Sequence, residues 1–130
     1  MGTVGLEPDR FFYDQALQLI QRERGKEPLF IFVILAANHF PWSYRYRPEL
    51  TPQWRDLGNP PKIDEYLRRQ TMSARDYTEF LGRLRSEFPG DAFLLVRYGD
   101  HQPEFAMNII DLVLDEAEIV RRIETFGPRT

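Results

Sequence analysis

The 130-residue chain has the length and composition of a soluble globular protein. Its net charge is −3, apolar residues make up 42% and charged residues 28%, and cysteine is absent. The apolar content excludes a disordered tail, and the mild negative charge predicts no nucleic-acid partner. The absence of cysteine excludes a disulfide framework and a thiolate metal site. The length suits a single domain over residues 1–130, either complete or part of a larger one.

Three segments have the periodicity or the end signals of helices. Apolar side chains recur at helical spacing over about residues 9–24, and Gly25 follows at the position where helices commonly end. A third helix is expected over about 115–125, because Asp115 is a suitable N-cap. Between them, a long helix is expected over about 62–88. Its predicted buried stripe consists of Ile63, Leu67, Gln70, Ala74, Tyr77, Leu81, Leu84 and Phe88.

Two short apolar runs predict strands that are buried on both faces. Residues 29–35 and about 92–98 are rich in aromatic and aliphatic side chains without polar alternation, a pattern typical of parallel strands covered by helices. A proline-rich loop over 38–61 and the long helix separate them, so the two strands are expected to be parallel with a right-handed connection. The predicted fold class is therefore α/β, a partial doubly wound sheet in three α/β/α layers, with at least two parallel strands and three helices.

Each of the two histidines follows one predicted strand. The carboxyl ends of parallel strands form the ligand crevice of open α/β sheets, so His39 and His101 are candidate site residues. Taken singly, each histidine is better interpreted as a hydrogen-bonded surface residue, whereas the two together at strand ends favour a site. Asp100 and His101 together offer a carboxylate and an imidazole, which suit Zn or Mn, whereas Mg would depend more on the carboxylate and water. Two protein ligands are too few for a closed zinc site.

The loop after the first predicted strand offers groups that suit an oxyanion. Asn38 and His39 are followed by aromatic residues and by Arg45, and a guanidinium matches the geometry of phosphate or sulfate. A solvated loop with exposed arginines is the alternative interpretation. An activated nucleophile is missing from the pattern, because the candidate hydroxyl groups have no activating partners in the sequence. These candidates are Ser43, Thr71 and Ser73.

Two of these segments resemble the sulfatase-like enzymes of the alkaline-phosphatase superfamily, which include phosphoethanolamine transferases and lipoteichoic-acid synthases. The run from Pro28 to Trp42 looks like their strand followed by an Asn-His-x-Pro element, and residues 94–103 are similar to their Gly-Asp-His-x-Pro motif. The resemblance implies that Asp100 and His101 bind a divalent metal (Zn, Mn or Mg), and that His39 contacts the phosphate or sulfate group of an ester substrate, such as a lipid head group.

The same resemblance implies that this chain carries only some of the functional residues of a larger protein. The nucleophile and further metal ligands of these enzymes lie in an N-terminal half, so this chain is expected to be a C-terminal fragment of the catalytic domain. It would be inactive without the remaining half. The parent is expected to be a membrane-anchored hydrolase or transferase with an extracytoplasmic, periplasmic domain, while this chain itself is soluble.

Two alternatives remain open from the residues alone. One is a non-enzymatic binding module that retains the fold, and the other is a small metal-dependent hydrolase whose site is completed in a dimer. Half of a doubly wound sheet would expose an unpaired edge, so self-association of the chain is also expected.

Overall fold

The computed structural model describes residues 6–106, and helices account for its regular structure. Helix α1 spans Asp9–Glu23, a short 3-10 helix spans Pro48–Leu50, and helix α2 spans Pro61–Glu87. The chain divides into two compact units, Met1–Leu94 and Leu95–Thr130. Among the described residues, neither helix has the length and apolar character needed to cross a membrane.

The ends of both helices follow from proline, glycine and carboxylate side chains. Proline occupies the N-cap and the first position of α2, where its missing N–H costs nothing. Asp64 in the first turn of α2 accepts the Asn59 side-chain amide at 2.9 Å and the Leu57 backbone N–H at 3.1 Å, which ties the end of the loop to the helix. Gly25 follows α1 with φ 77°, the left-handed conformation that glycine adopts without strain.

The apolar core of the first unit lies between α1 and the C-terminal half of α2. The rings of Tyr13 and Phe80 stack with their centroids 4.5 Å apart and their planes 11° from parallel. Such offset aromatic pairs stabilise a core beyond the effect of their buried area. The buried residues of this cluster are Tyr13, Ala16, Leu17, Ile20, Phe80, Leu84 and Phe88.

The first predicted strand is wrong in its pairing and in its burial. Residues 29–35 have no strand partner among residues 6–106, and the segment buries only one of its faces. Ile31, Val33 and Leu35 pack against the helical core. The alternate side chains are exposed by 88% at Phe30, 64% at Phe32 and 70% at Ile34. The apolar run is therefore an extended segment, called the ribbon below, with one face packed on the two helices and the other face exposed.

The second predicted strand is also wrong, and with it the α/β fold class. Residues 92–98 have no strand partner in the described part of the chain and are exposed throughout, by 92% at Leu94 and 76% at Val96. Without a sheet there are no parallel strands and no doubly wound α/β/α arrangement in residues 6–106. The third predicted helix, over about 115–125, lies outside the described residues.

Candidate functional site

His39 follows the first apolar segment and its imidazole is held by a local backbone contact. The His39 N–H donates to the Ala36 carbonyl at 3.2 Å, which closes a turn. The imidazole Nδ1 lies 2.7 Å from the Phe40 carbonyl oxygen. Because a carbonyl only accepts hydrogen bonds, Nδ1 carries the proton and Nε2 keeps its lone pair in the neutral ring. The side chain is exposed, so Nε2 is accessible to a ligand.

The side chain of Asn38, the second predicted substrate-binding residue, is only partly satisfied. Its Oδ1 is buried and has no hydrogen-bond donor within the part of the chain that the structure describes. A buried acceptor without a donor raises the free energy of the folded state, and such groups in native proteins call for an explanation. Because Oδ1 accepts hydrogen bonds, as an ester oxyanion also does, this unpaired atom does not by itself support the predicted substrate contact of Asn38.

Arg45, the third predicted substrate-binding residue, is engaged by a carboxylate of the same loop. Its Nη2 donates to Asp56 Oδ1 at 2.6 Å, and both side chains are partly exposed. The hydrogen bond from Arg45 lowers the pKa of Asp56, and the Trp54 indole N–H donates to the same oxygen at 3.1 Å. An anionic substrate therefore has to compete with Asp56 for this guanidinium.

A buried charged cluster on α2, formed by Glu65, Arg68 and Arg69, holds the loop that carries these residues. Glu65 Oε1 accepts Arg68 Nη2 at 2.8 Å, Arg69 Nε at 2.8 Å and the Tyr46 backbone N–H at 2.8 Å. Arg68 also donates to the Tyr46 carbonyl and, at 2.7 Å, to the Thr51 hydroxyl. Apart from the Thr51 hydroxyl, the loop atoms in these contacts belong to the backbone, so their positions do not depend on side-chain rotamers.

The electrostatics of this cluster reflect its burial. Burial alone would raise the pKa of Glu65, but the hydrogen bonds from Arg68 and Arg69 outweigh it and lower the pKa below the ordinary value. Burial raises the pKa of Tyr46 to about 12, and its hydroxyl donates to the Leu6 carbonyl. Tyr46 is therefore a neutral anchor of the loop near neutral pH.

Asp100 and His101, the predicted metal ligands, lie side by side and exposed in the second unit. The side chains are exposed by 86% and 75%, respectively, and His101 Nε2 lies 3.6 Å from Asp100 Oδ2. His101 Nδ1 is 3.0 Å from the Gln102 carbonyl oxygen. The proton of neutral His101 is therefore on Nδ1, as in His39, and Nε2 is the available ligand atom.

The donor atoms at this position fit a divalent cation but do not complete its coordination. Two ligands about 2.1 Å from a tetrahedral cation lie about 3.4 Å apart, close to the observed Nε2–Oδ2 separation. A backbone carbonyl on the opposite ring nitrogen is the usual outer contact of a metal-binding histidine. However, no group of three or more acidic, histidine or cysteine side chains suited to a metal occurs among residues 6–106. Further ligands must come from outside this pair.

The cluster on α2 is the part of the site that the sequence prediction missed. Glu65, Arg68 and Arg69 are all buried, although charged residues of a helix usually face solvent. One signal was present in the sequence, because Glu65 is three and four residues before the two arginines and can therefore bind both. The spacing does not predict that loop carbonyls accept hydrogen bonds from the arginines, and these hydrogen bonds are what make their burial favourable.

The described residues thus offer a carboxylate–imidazole pair for a cation and, in the first unit, a histidine, an amide and an arginine for an oxyanion. Metal-dependent ester enzymes use groups of these kinds together with further metal ligands and a nucleophile. The sequence matches the Sulfatase family over residues 4–112, and the chain belongs to that family. No curated protein and no solved structure matches the chain. Family membership confirms the broader resemblance drawn from the Asn-His and Gly-Asp-His motifs.

Proposed function

We propose that this chain supplies metal- and substrate-binding residues to a domain that hydrolyses or transfers phosphate or sulfate esters. Members of the Sulfatase family act on sulfate esters and generally use a divalent metal. The observation that carries the proposal is the arrangement of His101 and Asp100, whose Nε2 and Oδ2 atoms are available 3.6 Å apart. The motif match and the ligand atoms that the structure leaves exposed both support the same pair of residues.

Asp100 and His101 are the residues that would hold the metal. A bound Zn, Mn or Mg ion supplies Lewis-acid polarisation of a phosphoryl or sulfuryl oxygen. The Gln102 carbonyl fixes the tautomer of His101 so that Nε2 can act as a ligand. Asp100 also accepts the His101 backbone N–H at 2.9 Å through Oδ1, which leaves Oδ2 on the side of the imidazole.

His39, Asn38 and Arg45 are the residues that would contact the ester. With Nδ1 committed to the Phe40 carbonyl, His39 uses Nε2 in two ways. Neutral His39 accepts a proton there, whereas protonated His39 donates a hydrogen bond to an ester oxyanion. Arg45 offers a guanidinium for the same group once it leaves Asp56.

The attacking hydroxyl is proposed to come from another part of the catalytic domain. The Ser73 hydroxyl donates to buried Asp9, and the Thr71 hydroxyl donates to the Leu67 carbonyl at 2.9 Å. The first of these hydrogen bonds joins α2 to α1, and the second lies within α2. The chain is therefore expected to be inactive alone, and the lipid head group, the transferase activity and the membrane anchor of the parent remain parts of this proposal.

Titration of the full chain with Mn²⁺ and with inorganic sulfate, followed by NMR, tests the proposed metal ligands and the proposed ester-binding residues separately. The chain has two histidines, so their ring signals are readily assigned. Mn²⁺ should broaden the His101 ring signals first, and Asp100→Asn should remove this selectivity while Asp91→Asn, an exposed control, retains it. Sulfate should shift the His39 ring signals. Equal broadening in wild type and Asp100→Asn, or no sulfate effect on His39, would refute the respective assignment.

A non-catalytic interaction module is the second candidate, and one observation favours it. Phe30, Phe32 and Ile34 expose a row of apolar side chains on one face of the ribbon. Such patches often mark contacts with another protein or a second copy of the same chain. Sedimentation across a wide concentration range separates the candidates, because self-association that Phe32→Ser reduces supports the interaction role. A monomer at every concentration removes the support for self-association.

A further inference from the structure

The guanidinium of Arg69 is fully buried, yet most of its hydrogen bonds go to the backbone of the loop that carries His39. Its Nη1 donates to the His39 carbonyl at 2.8 Å, and its Nη2 donates to the Pro41 carbonyl at 3.1 Å and to the Tyr44 carbonyl at 3.2 Å. Its Nε donates to Glu65 Oε1 at 2.8 Å. A single planar group therefore fixes three carbonyl oxygens within six residues of the loop.

The first two of these carbonyls lie on either side of the one that orients the imidazole. His39 Nδ1 donates to the Phe40 carbonyl, and Phe40 lies between His39 and Pro41, whose carbonyls both accept from Arg69. With the backbone held at both sides, the direction of the Phe40 carbonyl is fixed. That carbonyl in turn decides which ring nitrogen carries the proton.

Aromatic rings complete the surroundings of the Arg69 charge. The Cζ atom of Arg69 lies 4.7 Å from the ring centroid of Trp42, 5.0 Å from that of Tyr44 and 5.3 Å from that of Tyr46. Such contacts stabilise a cation that has lost its water. They also define the position of the guanidinium, because a flat group stacks in fewer orientations than an ammonium group.

We propose that Arg69 is a positioning residue for His39, because its guanidinium holds the backbone on both sides of the carbonyl that fixes the imidazole with Nδ1 protonated and Nε2 facing the ligand. The Arg69 side chain is fully buried, so its proposed effect on ligand binding is exerted through the loop backbone. The relevance of this arrangement to ester binding rests on the proposed function, but the effect on the imidazole does not. Lysine at this position keeps the positive charge but loses the planar set of N–H donors, so Arg69→Lys separates the effect of charge from the effect of donor geometry.

Nitrogen-15 NMR of the imidazole rings in the full chain tests the proposal, since the chemical shifts distinguish the two tautomers. In the wild type above neutral pH, His39 should be mainly the Nδ1–H tautomer. Arg69→Lys should lose this preference at His39 and keep it at His101, whose Nδ1 bonds to its own neighbour Gln102. Arg83→Lys is the matched control, because Arg83 is a partly exposed arginine of the same helix that bonds Glu87 and Asp14. It should leave both rings unchanged.

Several results would overturn the proposal. If the Nε2–H tautomer of His39 dominates in the wild type, the proposal is refuted without measurement of any variant. An unchanged His39 tautomer in folded Arg69→Lys is equally decisive, with folding judged by helical circular dichroism. If Arg69→Lys does not fold, Arg69→Gln replaces it, because an amide offers two donors to the loop carbonyls but no fork. The same loss at His39 is expected there, and an unchanged tautomer again refutes the role.

The sulfate titration distinguishes a failure of this inference from a failure of the proposed function. The dissociation constant of inorganic sulfate at His39 should rise about tenfold in Arg69→Lys, a typical effect of removing a group that orients a ligand-binding side chain. If wild-type sulfate binding is absent but the tautomer responds to Arg69, the positioning role holds and the proposed function fails. If sulfate binds equally well to the wild type and to Arg69→Lys and the tautomer does not change, the positioning role of Arg69 fails and sulfate binding at His39 stands.

Discussion

The carboxylate of Asp76, in the middle of α2, accepts the backbone N–H of Arg10 in the first turn of α1 at 3.1 Å. Its second oxygen lies 3.1 Å from the Arg10 Nη2 as an ion pair without hydrogen-bond alignment. Pro8, the N-cap of α1, has no side chain that could cap the helix. A carboxylate distant in sequence therefore replaces the local cap and complements the positive end of the helix dipole.

Substitution Asp76→Ala should lower the free energy of unfolding by about 1–2 kcal/mol, the usual cost of removing a helix cap. Urea unfolding followed by circular dichroism measures this change. Glu79→Ala, an exposed carboxylate on the same helix, is the control and should stay within about 0.5 kcal/mol of wild type. If both variants lose the same amount, the loss of a negative charge from α2 and not the cap explains the effect.

Glu65 should make the stability of the first unit fall under acid conditions. The pKa of Glu65 is lowered in the folded protein, so its stabilising effect is fully present above the ordinary value of 4.5 and is lost as the pH falls through the folded value. Urea midpoints from pH 7 to pH 3 should drop through this window. Glu65→Gln should be less stable by about 3 kcal/mol at pH 7 and should show a shallower acid dependence.

Glu87→Gln is the matched control for this acid effect. Glu87 pairs with Arg83 at the surface, where an ion pair contributes little. The control should therefore keep the acid dependence of the wild type. An equally steep acid dependence in Glu65→Gln would show that other carboxylates cause it.

Asp56 should limit the affinity of Arg45 for anions. Asp56→Asn keeps the shape of the side chain but removes the charge that holds the Arg45 guanidinium at 2.6 Å. Sulfate binding, followed by NMR of the arginine side chains, should therefore strengthen by about twofold to fivefold, since an exposed ion pair competes only weakly. Glu49→Gln changes the same net charge on an exposed residue of the loop and serves as the control. Equal gains in both variants would indicate a general charge effect.

The periodic pattern located α2 but not the face that it buries. In its N-terminal half the predicted stripe contains Leu67 and Gln70, whereas Arg68 and Arg69 are the fully buried side chains. Hydropathy assigns arginine to solvent because it measures transfer to an apolar medium. Here the neighbouring surface is a loop whose carbonyl oxygens accept hydrogen bonds from the two guanidinium groups, which leucine could not supply.

The chemistry of the site was more accessible to sequence reasoning than its architecture. The carboxylate and imidazole of Asp100 and His101 are adjacent in the chain, so their proximity needs no knowledge of the fold. The link from Arg69 to His39 spans 30 positions and joins a side chain to backbone oxygen. Backbone carbonyls have no residue-type signature, so this link cannot be predicted from the sequence of a single protein.

The ribbon over residues 29–35 offers a direct test of one-faced burial. Val33 packs against the helical core, whereas the neighbouring Phe32 is 64% exposed. Val33→Ala should therefore lower the free energy of unfolding by about 1 kcal/mol, and Phe32→Ala should change it by less than about 0.5 kcal/mol. Urea unfolding of both variants measures the contrast. A cost of about 3 kcal/mol or more for Phe32→Ala would mean that the larger side chain is buried as well, as the apolar run alone had predicted.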